Sequence, residues 1–313
     1  MSGLRVDDPG LLALLQDAGR RGHYRLGLTD GGPLDRQAFD LCNRLLENPA
    51  GAAAVELSFG GARLTAETDT FLCVTGAPMP LAINGDERPG WEVHRVRAGD
   101  RIELGHPPTG CRAYLGVAGG FRAAPAFGSV ATVLREGLGG LGSGKLAPGD
   151  LLPCEPVRER RRLYLPETAR PRYTRQVTLR VVPGYQQHHF PRLAQRRFYG
   201  SRYAVTDRAD RMGYRLEGPA VRADIDGILS EGICLGAIQL PADGQPIVLL
   251  NDRQTIGGYP KIGAALSLDL AALAQQVPGG EVVFTPITQH AAHNALHLAR
   301  AFEASRTIRE RTP

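Results

Sequence analysis

The sequence predicts a mainly β protein, and three observations predict it. Apolar residues come in short runs bounded by turn formers, and few segments hold a helical period for long. Glycine and proline are abundant, 39 and 23 of 313 residues, which supplies turns and interrupts helices. Gly99-Asp100 and Gly149-Asp150 each stand directly before apolar residues, a turn-then-strand pattern common in barrels.

Along the chain, residues 11–16 form a short apolar stretch read as a brief helix. Residues 36–47 predict a firmer helix, with Phe39, Leu41, Leu45 and Leu46 apolar and Asn48-Pro49 as its stop. Strands are predicted at residues 71–74, 91–96, 101–104 and 112–117. The Arg- and Pro-rich segment 155–175 follows. Its RERRR run at 158–162 reads as a solvated linker, with phosphate contact as the competing reading. That linker divides the chain into an N-terminal barrel-like domain, residues 1–165, and a C-terminal domain, residues 166–313. Strands resume at 177–182, 247–250 and 282–284. Residues 288–306 predict the longest helix, with Ala291, Leu296, Ala299 and Phe302 on its apolar face.

Composition excludes several classes. No apolar run approaches the ~20 residues that span a bilayer, and the start of the chain lacks the pattern of a signal peptide. A cytoplasmic protein without a membrane partner is expected. A net charge of +5 is small for this length and does not mark a nucleic-acid binder. Cys42, Cys73, Cys111, Cys154 and Cys234 are scattered without metal-ligand spacing, so reduced, mostly buried thiols are expected and no metal site. Among 37 basic residues, Lys145 and Lys261 are the lysines. Arg does not deprotonate, whereas lysine is a compact ammonium with a tunable pKa, so Lys261 is singled out on composition alone.

Familiar motifs fail on inspection. GLGGLGSGK, residues 137–145, contains GxGxxG and GxxxxGK, but Leu146 stands where a phosphate loop needs Ser or Thr. Ala147-Pro148-Gly149 follows where a helix would start, so a turn between strands is the reading. His290, His293 and His297 fall on one face of the last predicted helix without a carboxylate or cysteine to complete a metal set. His188-His189 reads as a loop pair after Pro183-Gly184.

Three stretches are dense in chemically useful side chains. They are residues 16–35 (QDAGRRGHYRLGLTDGGPLD), residues 180–190 (RVVPGYQQHHF) with 207–218 (DRADRMGYRLEG), and residues 230–263, which end in NDRQTIGGYPKIG. On these blocks, in this order, the chain resembles the biotin-dependent carboxyltransferase subunit family. That family also includes the allophanate hydrolase subunit 2 and urea carboxylase type of unit, and subunits of bacterial 5-oxoprolinase. The likeness runs from about residue 10 to residue 296. Val130 and Ala209 depart from it, where family members commonly carry Arg and Ser.

The resemblance implies two cyclophilin-like β-barrel domains with a few short helices and a C-terminal one. It also implies an ATP-dependent amide (lactam) hydrolase subunit, active only in a complex with a B-like and an A-like subunit. ATP with Mg would act in that complex, and this chain would hold no tight cofactor. The ligand would be a small lactam, 5-oxoproline. Such a site needs donors on the lactam oxygen and cations over the phosphate. The implied catalytic set is Lys261, Asp252, Arg253, Gln254 and Tyr259. Asp252 would orient Arg253 or take a ring proton, Arg253 and Lys261 would meet negative charge, and Gln254 would match an amide's C=O and N–H. The implied substrate-binding set is Gln186, Asp210, Arg211, Tyr214, Glu231, Gly257, Gly258 and Asp35. For several of these a structural reading competes. Asp210 with Arg211 reads as an ion pair, Tyr214 as core, Glu231 and Asp35 as turn caps, and Gln186 as a loop residue. A regulatory module and a carboxyltransferase for a urea-like substrate remain alternatives.

Overall fold

Short apolar runs become strands where another run is available to pair with them. The computed structural model, which describes residues 2–142, 144–225 and 227–311, is mainly β for this reason. Met1–Arg21, Gly31–Tyr173 and Thr307–Pro313 make one compact unit, and Gly22–Asp30 with Thr174–Arg306 make the other. The chain passes between them at 21/22, 30/31, 173/174 and 306/307, so a single cut in the 155–175 linker captures one of these crossings.

The first unit contains β1 (Gly3–Asp8), β2 (Leu12–Gln16), β3 (Ala54–Ser58), β4 (Ala62–Ala66), β5 (Thr70–Gly76), β6 (Leu81–Ile83), β7 (Asp86–Arg88), β8 (Val93–Val96), β9 (Arg101–Leu104), β10 (Arg112–Val117), β11 (Leu151–Pro153) and β12 (Leu163–Tyr164). They form two sheets, ordered β11-β1-β4-β9-β6-β7 and β2-β3-β10-β5-β8. Val6, Leu64 and Ile102 of the first sheet share one buried cluster with Leu15, Val55 and Leu115 of the second. The other face of the second sheet is covered by α1 (Arg36–Leu45), whose Phe39, Leu41, Cys42 and Leu45 pack with Phe71, Cys73, Trp91 and Tyr114. Each such large apolar side chain contributes about 1.5–3 kcal/mol on burial. Asp35 caps α1 by accepting from the Ala38 N–H at 3.0 Å, a contact worth about 1 kcal/mol.

The second unit contains β13 (Gln176–Pro183), β14 (Arg202–Ala209), β15 (Gly213–Glu217), β16 (Glu231–Gly232), β17 (Ala237–Gln239), β18 (Ile247–Leu249), β19 (Ile256–Gly257), β20 (Lys261–Ala265) and β21 (Glu281–Pro286). Seven of them close a barrel in the order β13-β20-β17-β18-β15-β14-β21, with β13 and β21 parallel and the other neighbours antiparallel. Closure leaves no sheet edge exposed. β16 and β19 make a separate two-stranded ladder, with Glu231 opposite Gly257. Two helices connect barrel strands, α2 (Arg192–Gly200) and α3 (Ser267–Ala274), and α4 (Gln289–Ser305) follows the last of them. Phe198 of α2 stacks on Phe284 of β21 with centroids 4.3 Å apart. Asp269 ties α3 to β13 by accepting from the Arg180 backbone N–H at 2.8 Å and its Nε at 3.0 Å. After α4 the chain ends in β22 (Arg309–Glu310), paired with β12 in the first unit.

Local readings at residues 11–16 and in the last helix need correction. Residues 11–16 do not form a helix. Leu12–Gln16 is β2, and four of its five residues are buried because its sheet is covered on both faces. A five-residue apolar run carries no period that separates strand from helix. α2 and α3 were not foreseen; α3 is apolar almost throughout, so it shows no polar face to reveal a helical period. α4 does form, capped by Thr288, but Phe302 is 62% exposed and Ala291 is exposed too, so its predicted apolar face is only partly covered. The glycine-rich segment is a turn. Gly137, Gly139, Gly140 and Gly142 have φ of 61–77°, and a Cβ at Gly139 would lie 2.0 Å from the Ala131 carbonyl oxygen. Ser143, within that segment, lies outside the described residues.

Candidate functional site

The polar cluster of the second unit is assembled from three short pieces at one end of β20. Lys261 opens β20, Glu231 opens β16, and Gln186 sits in the 3-10 turn Tyr185–His189 that follows β13. The turn is tied to the strand: the Lys261 backbone N–H donates to Gln186 Oε1 at 2.9 Å. Gln186 Nε2 in turn donates to Glu231 Oε1 at 2.9 Å. Lys261 Nζ donates to the same carboxylate, and the Tyr185 hydroxyl donates to its other oxygen. Gln186 is buried, while the side chains of Lys261 and Glu231 are 11% and 32% exposed.

These contacts fix the charge state of the cluster. The Lys261 ammonium, then the Tyr185 hydroxyl, hold the Glu231 carboxyl below its usual range, against a small opposing effect of burial. The same bond raises the Tyr185 hydroxyl, because losing its proton would place a second negative charge beside Glu231. A carboxyl with a depressed folded-state pKa adds stability above its ordinary value of 4.5 and loses it as pH falls through the lower one. At neutral pH Glu231 is therefore an ionised carboxylate, bonded to Lys261 Nζ.

The NDRQ loop supplies the next groups. Arg253 is 3% exposed, and burial pushes its guanidinium down to about 10. Its Nε donates to the Ile233 carbonyl and its Nη1 to the Leu250 carbonyl, both at 3.2 Å. Its Nη2 lies 4.0 Å from Asp30, and its guanidinium carbon lies 5.2 Å from the Tyr24 ring centroid. The segment Gly22–Asp30 thus joins the second unit beside the loop, bringing part of the first singled-out stretch to the third. Ile233 also faces Gly257. A Cβ added at Gly257 would lie 2.5 Å from Ile233 Cδ1, 2.9 Å from Gln239 Nε2 and 3.5 Å from Gln254 Nε2. Gly257 and Gly258 are needed for this close approach rather than for a left-handed backbone, since neither has positive φ.

Lys261, Glu231 and Gln186 are thereby bonded into one cluster, with Gly257 opposite Glu231 across the β16–β19 ladder and Gln254 near Gly257. Tyr259 follows them, 47% exposed. The remaining residues have other engagements. Asp252 makes a two-point ion pair with Arg211, both bonds 2.9 Å, with both side chains 6–7% exposed. Asp210 is not the partner of Arg211. It closes the turn between β14 and β15 by accepting from the Met212 and Gly213 N–H groups. Tyr214 is 1% exposed and donates to the Ala274 carbonyl at 3.1 Å, pinning the end of α3 to β15. Asp35 lies in the first unit, where it caps α1 and accepts from the Tyr173 hydroxyl at 2.8 Å.

Sequence reasoning passed over Tyr185 and Gln239. Tyr185 stood next to a chosen residue, in a Tyr-Gln-Gln run after a Pro-Gly turn, and that was its signal. Gln239 carried one too, an amide inside the otherwise apolar ICLGAIQL run. The three helical histidines are exposed. Among the described residues no group of three or more His, Cys, Asp or Glu is placed to hold a metal ion. A separate cavity of about 340 Å³, lined by Thr206, Arg208, Arg215, Glu217, Asp243 and Gln245 among others, shares no residue with the cluster.

Comparison with known proteins gives a consistent picture. A family model described as the carboxyltransferase domain, subdomain A and B, matches residues 26–286. The 5-oxoprolinase C subunit of Escherichia coli (strain K12) is 36% identical over 283 residues, covering 90% of this chain and 89% of that protein. Its namesake from Haemophilus influenzae is 33% identical over 279 residues, covering 88% of each. The crystal structure of the K. lactis urea amidolyase superposes with a TM-score of 0.88 over 97% of this chain. At 24% identity that match shows the fold, and this chain spans only 20% of the amidolyase.

Proposed function

The chain belongs to the carboxyltransferase domain family of subdomains A and B, and from that premise we propose that it is the lactam-binding subunit of an ATP-dependent 5-oxoprolinase. Its complex would convert 5-oxo-L-proline to L-glutamate in the cytoplasm, together with a B-like and an A-like subunit. One observation carries the reading: a buried amide, an ammonium and a carboxylate, Gln186, Lys261 and Glu231, are locked together beside the paired glycines that begin in β19. The likeness to the Escherichia coli 5-oxoprolinase component, which extends over 89% of that protein, supports the assignment.

The substrate combines a ring amide with a carboxylate. Lactam hydrolysis is slow, and a phosphoryl group from ATP on the amide oxygen would make the ring carbon more electrophilic. Water would add to that carbon, the C–N bond would break with nitrogen leaving as the amine, and a second water would hydrolyse the acyl phosphate to carboxylate and phosphate. Lys261 would sit beside the charge that develops on the amide oxygen, where a preorganised cation is most effective. Glu231 would hold the Lys261 side chain aimed. Arg253, deprived of water, would favour an anionic group such as the carboxylate. The missing Cβ at Gly257 lets Ile233 and Gln239 close on the backbone there, which holds this end of the barrel in shape.

Exposed apolar side chains support a covering partner. Tyr185, Leu229, Ile256 and Tyr259 are 70%, 93%, 61% and 47% exposed, and each lies in or next to a segment that supplies the cluster. A B-like subunit seated on them would exclude water from Lys261.

The test is to co-purify the chain with its partner subunits and measure phosphate release with and without 5-oxoproline. The reading predicts release that depends on 5-oxoproline. Release driven instead by urea in the presence of a biotin carrier would favour carboxyl transfer, and an assembly that only binds would favour a regulatory module. Gly257→Ala gives a sharper check on the location. Its Cβ would press on Ile233 and Gln239, so KM for 5-oxoproline rises about tenfold or more. Gly232→Ala points into open space and leaves KM unchanged.

A further inference from the structure

One buried donor of the barrel has no acceptor among the described residues. Gln239 ends β17 and is 1% exposed, and its Nε2 has no hydrogen-bond partner among the described residues. Across the antiparallel ladder its partner is Lys261, so the two side chains leave the same face of the sheet. The register shifts between Ile238 and Gln239, and an irregularity of this kind re-aims the side chain that follows it. The Nε2 atom faces Gly257, with Gln254 Nε2 close to the same point. Buried amide groups are nearly always paired, because losing water without a replacement partner is unfavourable. An orphan donor beside Lys261 and a glycine backbone marks a place that another molecule completes.

We infer that Gln239 reads the ring amide of the substrate, Nε2 donating to the carbonyl oxygen and Oε1 accepting from the ring N–H. The inference rests on the lactam-binding reading and deepens it. A five-membered lactam holds its N–H and C=O on one edge, so it offers one donor and one acceptor side by side. A primary amide offers the complement. A carboxylate offers acceptors only and suits Arg253 or Lys261 better. Gln254 Nε2 supplies a second donor to the same carbonyl oxygen. Amide recognition then belongs to the two glutamines, and charge recognition to the two cations.

The test uses the co-purified complex and two ligands, 5-oxoproline and 2-pyrrolidinone, which has the ring amide but no carboxylate. Gln239→Met keeps the length of the side chain and removes both hydrogen-bonding atoms. The KM for 5-oxoproline and the inhibition constant of 2-pyrrolidinone rise by the same factor, roughly 10- to 100-fold. The Tm stays level or rises, because an unpaired buried donor has been removed. Gln239→Glu keeps the shape, replaces the donor by an acceptor, and weakens both ligands alike. A rise confined to 5-oxoproline would assign Gln239 to the carboxylate and overturn the inference. Unchanged constants overturn it too, as does a fall in Tm in both variants that tracks the lost activity. If the wild-type complex does not turn over 5-oxoproline at all, the lactam reading fails first and the inference falls with it.

Discussion

Lys261→Ala lowers 5-oxoproline-dependent phosphate release by about 10²- to 10³-fold, the usual cost of removing one preorganised donor from developing charge. The fold survives the change. Glu231 keeps its bonds to Gln186 and Tyr185, and with a third of its side chain exposed it is not left as a sealed charge. Stability should change by no more than about 1 kcal/mol, as for other partly exposed ion pairs. Lys261→Arg restores the charge but not the activity, because a planar fork does not fit where a compact ammonium meets both Glu231 and the ligand. The check is kcat together with Tm. Full turnover in Lys261→Ala would remove the residue from the mechanism, and a large fall in Tm would make it a brace for the barrel.

The second large effect is on stability and concerns the pair beneath the loop. Arg211 and Asp252 are both nearly inaccessible and joined by two bonds of 2.9 Å. Removing one partner strands the other charge in the interior, at a cost of about 3–5 kcal/mol. Arg211→Met and Asp252→Leu alone are each therefore strongly destabilised in urea titrations. The double variant recovers much of the loss, because both charges of the pair are gone together. Losses that simply add would contradict the pair's coupling. The Asp252 backbone N–H also donates to the Arg211 carbonyl at 2.9 Å, so the pair fixes the start of the loop that carries Arg253 and Gln254. Asp252 acts here as a positioning residue, and a variant with normal Tm but no turnover would return it to the proton-transfer role that its chemistry first suggests.

How far the sequence reached depended on what each residue's partner was. Strand runs such as residues 101–104 and 112–117 were legible because alternation or continuous apolarity survives in the local sequence. Residues 11–16 were not, since only the pairing of Leu12–Gln16 with β3 decides between strand and helix. Lys261 stood out because lysine is scarce here. Glu231 and Gln186 lie 30 and 75 residues away from it, and the resemblance, not spacing, brought them into the set. The partnership of Asp252 with Arg211 was hidden for a related reason. A charged residue beside another in sequence invites local pairing, as with Asp210–Arg211, whereas the barrel brings Arg211 against a residue 41 positions on. Gln239 carried only the signal of an amide inside an apolar run; that its Nε2 has no hydrogen-bond partner among the described residues shows only in the folded arrangement.

A ligand-bound structure of the assembled complex speaks most directly to the claim that this barrel end receives a cyclic amide. With 5-oxoproline soaked into crystals of the complex, the ring should lie against Gly257, its carbonyl oxygen within hydrogen-bonding distance of Gln239 Nε2 and its charged end toward Arg253 or Lys261. Density for the ring elsewhere, for instance in the cavity beside Thr206 and Arg215 while the space by Gly257 stays closed, would contradict the account.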